Sequence, residues 1–450
     1  MATLTGCPQL QGSQLTWTHE ACSGTSPDYR AVQELAYINH SGVPVESIYV
    51  LMTAFPLILM MHQSCGASPL SEKRPLQCAL WDACIVGLPL TFHFSAHLEQ
   101  PLMCLFLAAS ILELRRCSKG GLAWEASFTL DGNRLRFVSE YRALVMMSTC
   151  VAILAVDFSS VFSRAQAKTE EFGYSLMDVG TGSIIFSSGL VCRPRQSGEG
   201  LRRVMKLWPV LLIGFVRAAL MWGIDYHVPA GEYGIHWNFF FTIAVVSLVS
   251  TTTDFSAEAS SASAALVLGA YQFYLSWLGG ADFILHAERV GLFSANREGI
   301  FSSAGYLGLH WLGVATGSTV RGSALRCVLQ LFLVAGLGYV TNLLLSHASL
   351  EASRRMCNLP YVLFILSLNC WVLALLACVD LLAGRPRTPM SPSLAGVQDS
   401  MLPVFLLANL LTGAVNVAFQ PLMVPFWPAI AVMWIYSLLW SVPAALLRLK

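Results

Sequence analysis

The feature that most constrains this fold is a series of apolar stretches that recur along almost the whole chain. Each stretch is close to the roughly 20 residues that an α-helix needs to cross a bilayer. Only 12% of the residues are charged, about half the share in an ordinary soluble domain. The sequence therefore predicts an all-α polytopic membrane protein with about thirteen transmembrane helices. The predicted spans are 44–62, 77–95, 100–115, 140–157, 177–193, 206–224, 236–253, 261–280, 298–316, 325–346, 358–380, 401–419 and 423–446.

The distribution of basic residues predicts the orientation of these helices. If the N-terminus lies outside the cytosol, the cytosolic loops carry more than twice as many Lys and Arg residues as the opposite loops, in agreement with the positive-inside rule. An odd number of spans then places the C-terminus in the cytosol. The sequon Asn39-His40-Ser41 lies in the N-terminal segment, so Asn39 is a possible glycosylation site on the non-cytosolic side.

The short loops indicate one transmembrane domain, residues 44–450, behind a polar N-terminal segment at 1–43. Residues 381–400 are rich in Pro and Ser, which is typical of a flexible linker. The formal net charge of +1 provides no basic excess for a nucleic-acid partner. The 13 cysteines lack the spacing typical of a metal site, and we expect neither a metal nor a bound cofactor.

The stretch 152–182 carries an unusual amount of charge between two apolar segments. Asp157 ends one apolar helix, and Lys168 follows in the loop. A partly desolvated carboxylate can take a proton from an alcohol, and a lysine can stabilise an oxyanion or a phosphate. The two residues therefore suit acyl transfer to a hydroxyl, although an interfacial ion pair would also place them there. Asp178 follows Ser175 at the spacing of a capping box, which favours a structural role.

Other polar candidates lie within apolar helices or at helix ends on the non-cytosolic side. His310 and Arg217 are ionisable residues inside apolar stretches, and such residues are functional candidates, although a helix histidine is also commonly a packing residue. Helix N-termini bind anions, and the guanidinium fork matches phosphate, whereas caps and interfacial anchors are the structural alternatives. The candidates for substrate binding are Asp178, Arg217, His236, Asn238, Asn296, Arg297, Glu298, Arg354 and Arg355.

Five segments together resemble the inositol acyltransferases of GPI-anchor biosynthesis, the phosphatidylinositol-glycan class W family. In chain order they are AILAVDF, AKTEEFGYSLMDVGTG, EYGIHWNFFFT, ERVGLFSANREGIFSSAGYLGLH and ASRRMCNL. The resemblance implies a multi-pass enzyme of the endoplasmic reticulum membrane whose polar motifs face the lumen. It also implies that this enzyme transfers a fatty acyl group, typically palmitoyl, from acyl-CoA to the inositol ring of glucosaminyl-phosphatidylinositol.

The resemblance further implies that Asp157 and Lys168 are essential, because the family's aspartate in AVDF and its lysine in FAK fall on them. Between these residues the family usually has PxFPRRFAK, whereas this chain has SSVFSRAQAK, which changes the spacing of the pair. Our hypothesis is that Asp157 deprotonates the inositol hydroxyl. Lys168 then stabilises the oxyanion or assists the departing CoA thiolate.

Three other functions stay open at this stage. A secondary transporter would also have many helices, but the sequence gives no sign of the related halves with broken helices that such proteins contain. A different membrane-bound O-acyltransferase would use an intramembrane histidine as its catalyst, and His310 is the candidate for that role. A non-catalytic lipid-binding or assembly subunit would share the same membrane architecture.

Overall fold

The computed structural model describes residues 7–11, 14–18, 40–65, 74–95, 99–119, 127–192, 200–223, 231–382 and 389–449. Asn39, the predicted glycosylation site, lies outside these ranges. Most of the described residues are helical, and two short antiparallel hairpins accompany the helices. The strands are β1 Cys7–Gln11, β2 Gln14–Thr18, β3 Leu130–Asp131 and β4 Arg134–Leu135.

The helices are given in chain order. Those before residue 200 are α1 Val45–Met52, α2 Ala54–Cys65, α3 Pro75–Asp82, α4 Leu88–His93, α5 Glu99–Lys119, α6 Arg136–Ala155 and α7 Leu176–Leu190. The next are α8 Gly200–Met205, α9 Trp208–Gly223, α10 Phe239–Thr253, α11 Ala257–Trp277, α12 Gly280–His286 and α13 Gly291–Ala295. The last are α14 Arg297–Val320, α15 Ala324–His347, α16 Leu359–Leu382, α17 Pro392–Asp399, α18 Met401–Ala418 and α19 Phe426–Leu449.

Each apolar stretch that the sequence predicts to span the membrane contains helix. Within the described ranges, 7 helical segments are both long and apolar enough to cross a bilayer. They are Val45–Gln63, Pro75–His93, Arg136–Ala155, Ala324–His347, Leu359–Leu382, Met401–Ala418 and Phe426–Leu449. Helices α7 and α10 have 15 residues each and are shorter than a full span. The all-α membrane architecture is therefore confirmed, whereas the number of spans and the orientation of the termini stay predictions.

Helix α16 forms the centre of the described structure. It is apolar on all sides and almost entirely buried, as expected of a helix enclosed by other helices. It packs against α2, α6, α14 and α15. Its buried amide, Asn369, accepts a hydrogen bond from the Tyr141 hydroxyl at 2.5 Å and donates one to the Ile365 carbonyl at 2.7 Å. These bonds satisfy the polar group inside an apolar core.

Helices α7 and α14 pack with their backbones unusually close together. A Cβ atom added at Gly189 would collide with the carbonyl oxygen of His310, and one added at Gly313 would collide with that of Phe186. Glycine is therefore required on both helices, and small residues of this kind let membrane helices approach closely. The contact fixes α14 against α7, the helix that begins at the candidate site.

Part of the predicted flexible linker, residues 381–400, is a buried helix. Ser391 caps α17 by accepting a hydrogen bond from Leu394 N at 3.3 Å, and its hydroxyl donates to Asp82 Oδ2 at 2.7 Å. Ser393 N donates to the same carboxylate oxygen at 2.8 Å. Within the described part of this stretch, Ser391 and Pro392 begin a helix, where serine caps and an early proline are favoured.

Candidate active site

A cavity of about 180 Å³ lies between α6, α7, α10 and α18, and apolar and charged residues both line it. The apolar wall residues are Met52, Phe94, Val145, Ala152, Ile153, Leu176, Met177, Val179, Ile184, Phe239 and Phe405. Helix α9 and the loops at 156–175, 231–238 and 348–358 supply the charged residues. A cavity of this composition suits a ligand that joins an apolar chain to a polar or charged group.

Four charged side chains form the polar end of this cavity, namely Lys168, Arg217, Glu232 and Arg354. Lys168 Nζ lies 2.5 Å from Glu232 Oε1. Burial disfavours the ionised carboxylate of Glu232, but the positive charges of Lys168, Arg354 and Arg217 outweigh burial and lower its pKa from 4.5 to about 2. Glu232 is therefore ionised at neutral pH. Positive charges outnumber negative ones at this end, which favours an anionic ligand.

Arg354 is held in place by a buried carboxylate, Asp178. Its Nε lies 2.7 Å from Asp178 Oδ1, and neither side chain is more than 5% exposed. The second oxygen, Oδ2, accepts hydrogen bonds from the hydroxyls of Thr169 at 2.7 Å and Ser175 at 2.8 Å. Burial alone would lower the pKa of the Arg354 guanidinium, but the carboxylates of Asp178 and Glu232 raise it above its usual value. Arg354 thus presents a permanent positive charge to the cavity.

Two helices that border the site begin at side-chain caps. Ser175 Oγ accepts a hydrogen bond from Asp178 N at 3.2 Å at the start of α7, which is the capping arrangement that the sequence predicts. Asn238 Oδ1 accepts from Phe240 N at 3.0 Å at the start of α10, and Asn238 Nδ2 donates to the Gly214 carbonyl at 2.9 Å. Asn238 is a predicted substrate-binding residue, but its side-chain amide caps α10 and forms a hydrogen bond to α9.

The segment 231–238 borders the cavity and is clamped by Asn296. The side-chain oxygen of Asn296 accepts hydrogen bonds from the backbone nitrogens of His236 and Trp237, both at 2.8 Å. Gly234 has a φ of +112°, and a Cβ atom there would lie 2.6 Å from Asn296 Cα, so this position requires glycine. The clamp fixes the path of the segment past the cavity.

Glu298 and three arginines form a buried cluster of ion pairs next to Asn296. Its carboxylate has no exposed surface, and its Oε1 lies 2.5 Å from Arg289 Nη2 and 2.9 Å from Arg355 Nη2. Arg297 Nε lies 3.9 Å from the same oxygen and donates to the Ile284 carbonyl at 2.9 Å. Arg297 and Arg355, predicted to bind a substrate phosphate, therefore have Glu298 and backbone carbonyls as partners. The lining of the cavity includes Arg354 and Arg217 instead.

Asp157 lies just beyond the end of α6, next to the cavity. Its Oδ2 accepts a hydrogen bond from Asn416 Nδ2 of α18 at 2.9 Å. Ile153, one turn earlier on α6, and Asn409, about two turns earlier on α18, both line the cavity. Because α6 and α7 pack against each other and are joined by a loop, the end of α6 and the start of α7 lie on one side. Asp157 and Lys168 therefore lie on the same side of the bundle, and Lys168 lines the cavity whereas Asp157 is not one of its lining residues.

His310 lies deep in the helical bundle, away from the charged end of the cavity. It is 13 residues into α14, which corresponds to roughly 20 Å along the helix axis. Its Nδ1 lies 3.0 Å from Ser188 Oγ and its Nε2 lies 2.8 Å from Ser250 Oγ. Both ring nitrogens thus have hydroxyl partners on neighbouring helices, α7 and α10. This geometry matches the packing role that the sequence also allowed.

Two cavity residues that were not among the predicted catalytic or substrate-binding residues, Glu232 and Tyr233, contact the charged side chains. Tyr233 lies beneath Arg354, whose Cζ is 5.9 Å from the ring centre, and its hydroxyl is 3.1 Å from Thr181 Oγ1. Glu232 is 64 residues away from Lys168, so only the fold brings the two together. The sequence did contain one signal for Glu232, because it is a carboxylate in a polar segment on the same predicted side of the membrane as Lys168.

The fold and the cavity define a multi-pass helical membrane protein with a mixed apolar and charged site at helix ends. Residues 29–447 match the GWT1 family, and the chain belongs to that family. This match confirms the resemblance that the five sequence segments indicate.

Curated relatives cover most of the chain at moderate identity. The phosphatidylinositol-glycan biosynthesis class W protein of Dictyostelium discoideum is 33% identical over 353 residues, 67% of this chain and 71% of that protein. GPI-anchored wall transfer protein 1 of Kluyveromyces lactis is 33% identical over 362 residues, 76% of this chain and 80% of that protein. An uncharacterised Arabidopsis thaliana protein is 36% identical over 292 residues, 62% of this chain and 66% of that protein.

Proposed function

We propose that this protein is an acyltransferase of GPI-anchor biosynthesis in the endoplasmic reticulum membrane. It transfers a fatty acyl group such as palmitoyl from acyl-CoA to the inositol ring of glucosaminyl-phosphatidylinositol. The observation that carries this proposal is the cavity whose apolar walls lead to a cluster of positive side chains around Lys168. Apolar walls suit acyl chains, and the charged end suits phosphates. The names of the relatives point to the same pathway.

The chemistry assigned to the site is a single displacement at the thioester carbonyl. Asp157 takes the proton of an inositol hydroxyl, and the hydroxyl oxygen attacks the carbonyl carbon. The ammonium of Lys168 stabilises the resulting oxyanion. When the tetrahedral intermediate collapses, the C–S bond breaks, an ester forms and CoA leaves as a thiolate that is then protonated. No metal or bound cofactor takes part in this scheme.

The contacts of the two residues support these roles. Asn416 donates a hydrogen bond to Asp157, which orients the carboxylate at the end of α6. Glu232 holds Lys168 at the cavity wall. Arg354 and Arg217 remain at the cavity surface and are assigned to the phosphate of the lipid acceptor or of CoA.

The test is a transfer assay in membranes that contain the full chain, labelled palmitoyl-CoA and glucosaminyl-phosphatidylinositol. We expect Asp157→Asn and Lys168→Ala, expressed at the level of the parent, to lose at least about 100-fold in rate, in line with general acid–base catalysis. Glu171→Gln is the control. The Glu171 side chain is 40% exposed, and its Oε1 lies 4.0 Å from His286 Nδ1, which is a long contact for an ion pair. Parent-level transfer by Asp157→Asn or Lys168→Ala would refute the assignment.

The same assay separates the alternatives. A transporter or a non-catalytic subunit would give no labelled inositol above membranes that lack the protein. An O-acyltransferase that uses His310 would lose transfer in His310→Gln and keep it in Asp157→Asn. We expect the reverse, because both nitrogens of His310 contact serine hydroxyls inside the bundle.

A further inference from the structure

We infer that Glu232 is the positioning residue for Lys168, fixing its ammonium at the polar end of the cavity and balancing its charge during acyl transfer. This inference rests on the proposed function, in which Lys168 stabilises the oxyanion. It assigns a role to a residue outside the Asp157 and Lys168 pair. The grounds are the contact itself, the rigid support of the segment that carries Glu232 and the charges that face it.

The contact joins a flexible side chain to a more buried partner. Lys168 Nζ lies 2.5 Å from Glu232 Oε1, and the side chains are 39% and 17% exposed, respectively. Lysine carries its charge on a four-carbon stem with many rotamers, and it presents no fixed geometry of its own. A partner on the cavity wall selects one of these rotamers. Positioning of this kind matters, because a displacement of about 1 Å can cost about 100-fold in rate.

The backbone that follows Glu232 is supported by several hydrogen bonds. Tyr233 O accepts a hydrogen bond from Gly299 N at 2.9 Å, and Ile235 N donates to the Ala295 carbonyl at 2.9 Å. Beyond them, Asn296 holds the next two backbone nitrogens of the segment. These bonds tie the segment to the start of α14. Glu232 therefore sits on a fixed support rather than on a free loop, as a positioning role requires.

The charges that face Glu232 come from three separate elements. They are Lys168 from the loop before α7, Arg354 from the loop before α16 and Arg217 from α9, and the phenol of Tyr233 adjoins it in the chain. These cations keep Glu232 ionised, with a pKa of about 2. A carboxylate of such low basicity is a poor proton acceptor. Its contribution to the reaction therefore passes through Lys168.

The experiment separates the effect of the charge at position 232 from the effect of side-chain length, and it uses the full chain. Steady-state kcat and KM are measured with palmitoyl-CoA and glucosaminyl-phosphatidylinositol for the parent, Glu232→Gln, Glu232→Asp and Glu232→Asn. Glu171→Gln is again the control for removal of a nearby carboxylate. Thermal unfolding midpoints are recorded for every variant, so that rate losses from misfolding are recognised.

We expect Glu232→Gln to lower kcat about 10- to 100-fold with KM values for both substrates close to those of the parent. This pattern is expected because the ammonium of Lys168 loses the partner that fixes its position, whereas the groups assigned to substrate binding are unchanged. Glu232→Asp keeps the charge on a shorter stem, so it should retain more of the parent kcat than Glu232→Gln does. Glu232→Asn should follow Glu232→Gln.

The outcomes distinguish this inference from the function on which it rests. If Glu232→Gln keeps the kcat of the parent while Lys168→Ala is inactive, the inference is wrong and the proposed function stands. If Lys168→Ala is as active as the parent, the role of Lys168 fails and the inference fails with it. If Glu232→Gln does not fold, the Asp and Asn variants decide, and equal kcat values for these two would overturn the inference.

Discussion

The substitution Glu298→Gln tests whether the buried cluster of ion pairs around Glu298 stabilises the folded protein. The glutamine keeps the volume of the side chain but removes the charge that Arg289, Arg297 and Arg355 share. Breaking a buried ion pair by removing one partner costs about 3–5 kcal/mol, because the remaining charge is left uncompensated. Arg289 is 23% exposed and can regain water, so we expect the lower end, about 3 kcal/mol.

A loss of about 3 kcal/mol corresponds to a factor of roughly 150 in the unfolding equilibrium. The assay is thermal unfolding of the purified chain in detergent, in which the midpoint should fall by several degrees. Glu288→Gln is the matched control, since Glu288 is an exposed carboxylate in the same segment and surface substitutions usually change stability by less than about 0.5 kcal/mol. Equal midpoints for the two variants would refute the role given to Glu298.

Two further predictions concern the helices that support the site. Gly313→Ala should destabilise the protein by about 1–3 kcal/mol, because the added Cβ collides with the Phe186 carbonyl of α7, whereas Gly413→Ala, with nothing within 4 Å of its Cβ, should leave the thermal midpoint unchanged. Asn238→Ala should cost about 1 kcal/mol through loss of the α10 cap, and Asn238→Ser should recover most of it in the same measurement. A midpoint for Gly313→Ala or Asn238→Ala equal to that of the parent would contradict the packing or the cap described above.

Apolar patterning was sufficient to locate the helices. Every stretch predicted as a span contains helix, because the bilayer fixes the length and the composition of a spanning segment. Breaks inside the helices were not predicted. The first span divides at Thr53, and the second contains a π-helical turn at Ala83–Gly87. Such breaks depend on tertiary packing, which the local sequence does not encode.

The candidate site was predicted in outline only. The sequence indicated that Lys168, Arg354 and the segment around His236 belong to one side, and the structure brings them together at one cavity. It could not pair Asp178 with Arg354, which is 176 positions later in the chain. Nor could the sequence show that Arg297 and Arg355 form ion pairs with Glu298. An arginine in the sequence does not indicate whether its guanidinium binds a substrate phosphate or a buried carboxylate.

The most direct measurement of the central claim uses the purified chain in liposomes with carbonyl-labelled palmitoyl-CoA and glucosaminyl-phosphatidylinositol. Mass spectrometry of the lipid product locates the label. We expect an ester on the inositol ring that forms with the parent protein and with Glu171→Gln, and that falls by at least about 100-fold with Lys168→Ala. Label that stays on CoA, or that appears on the lipid at the same rate with Lys168→Ala, would contradict the account.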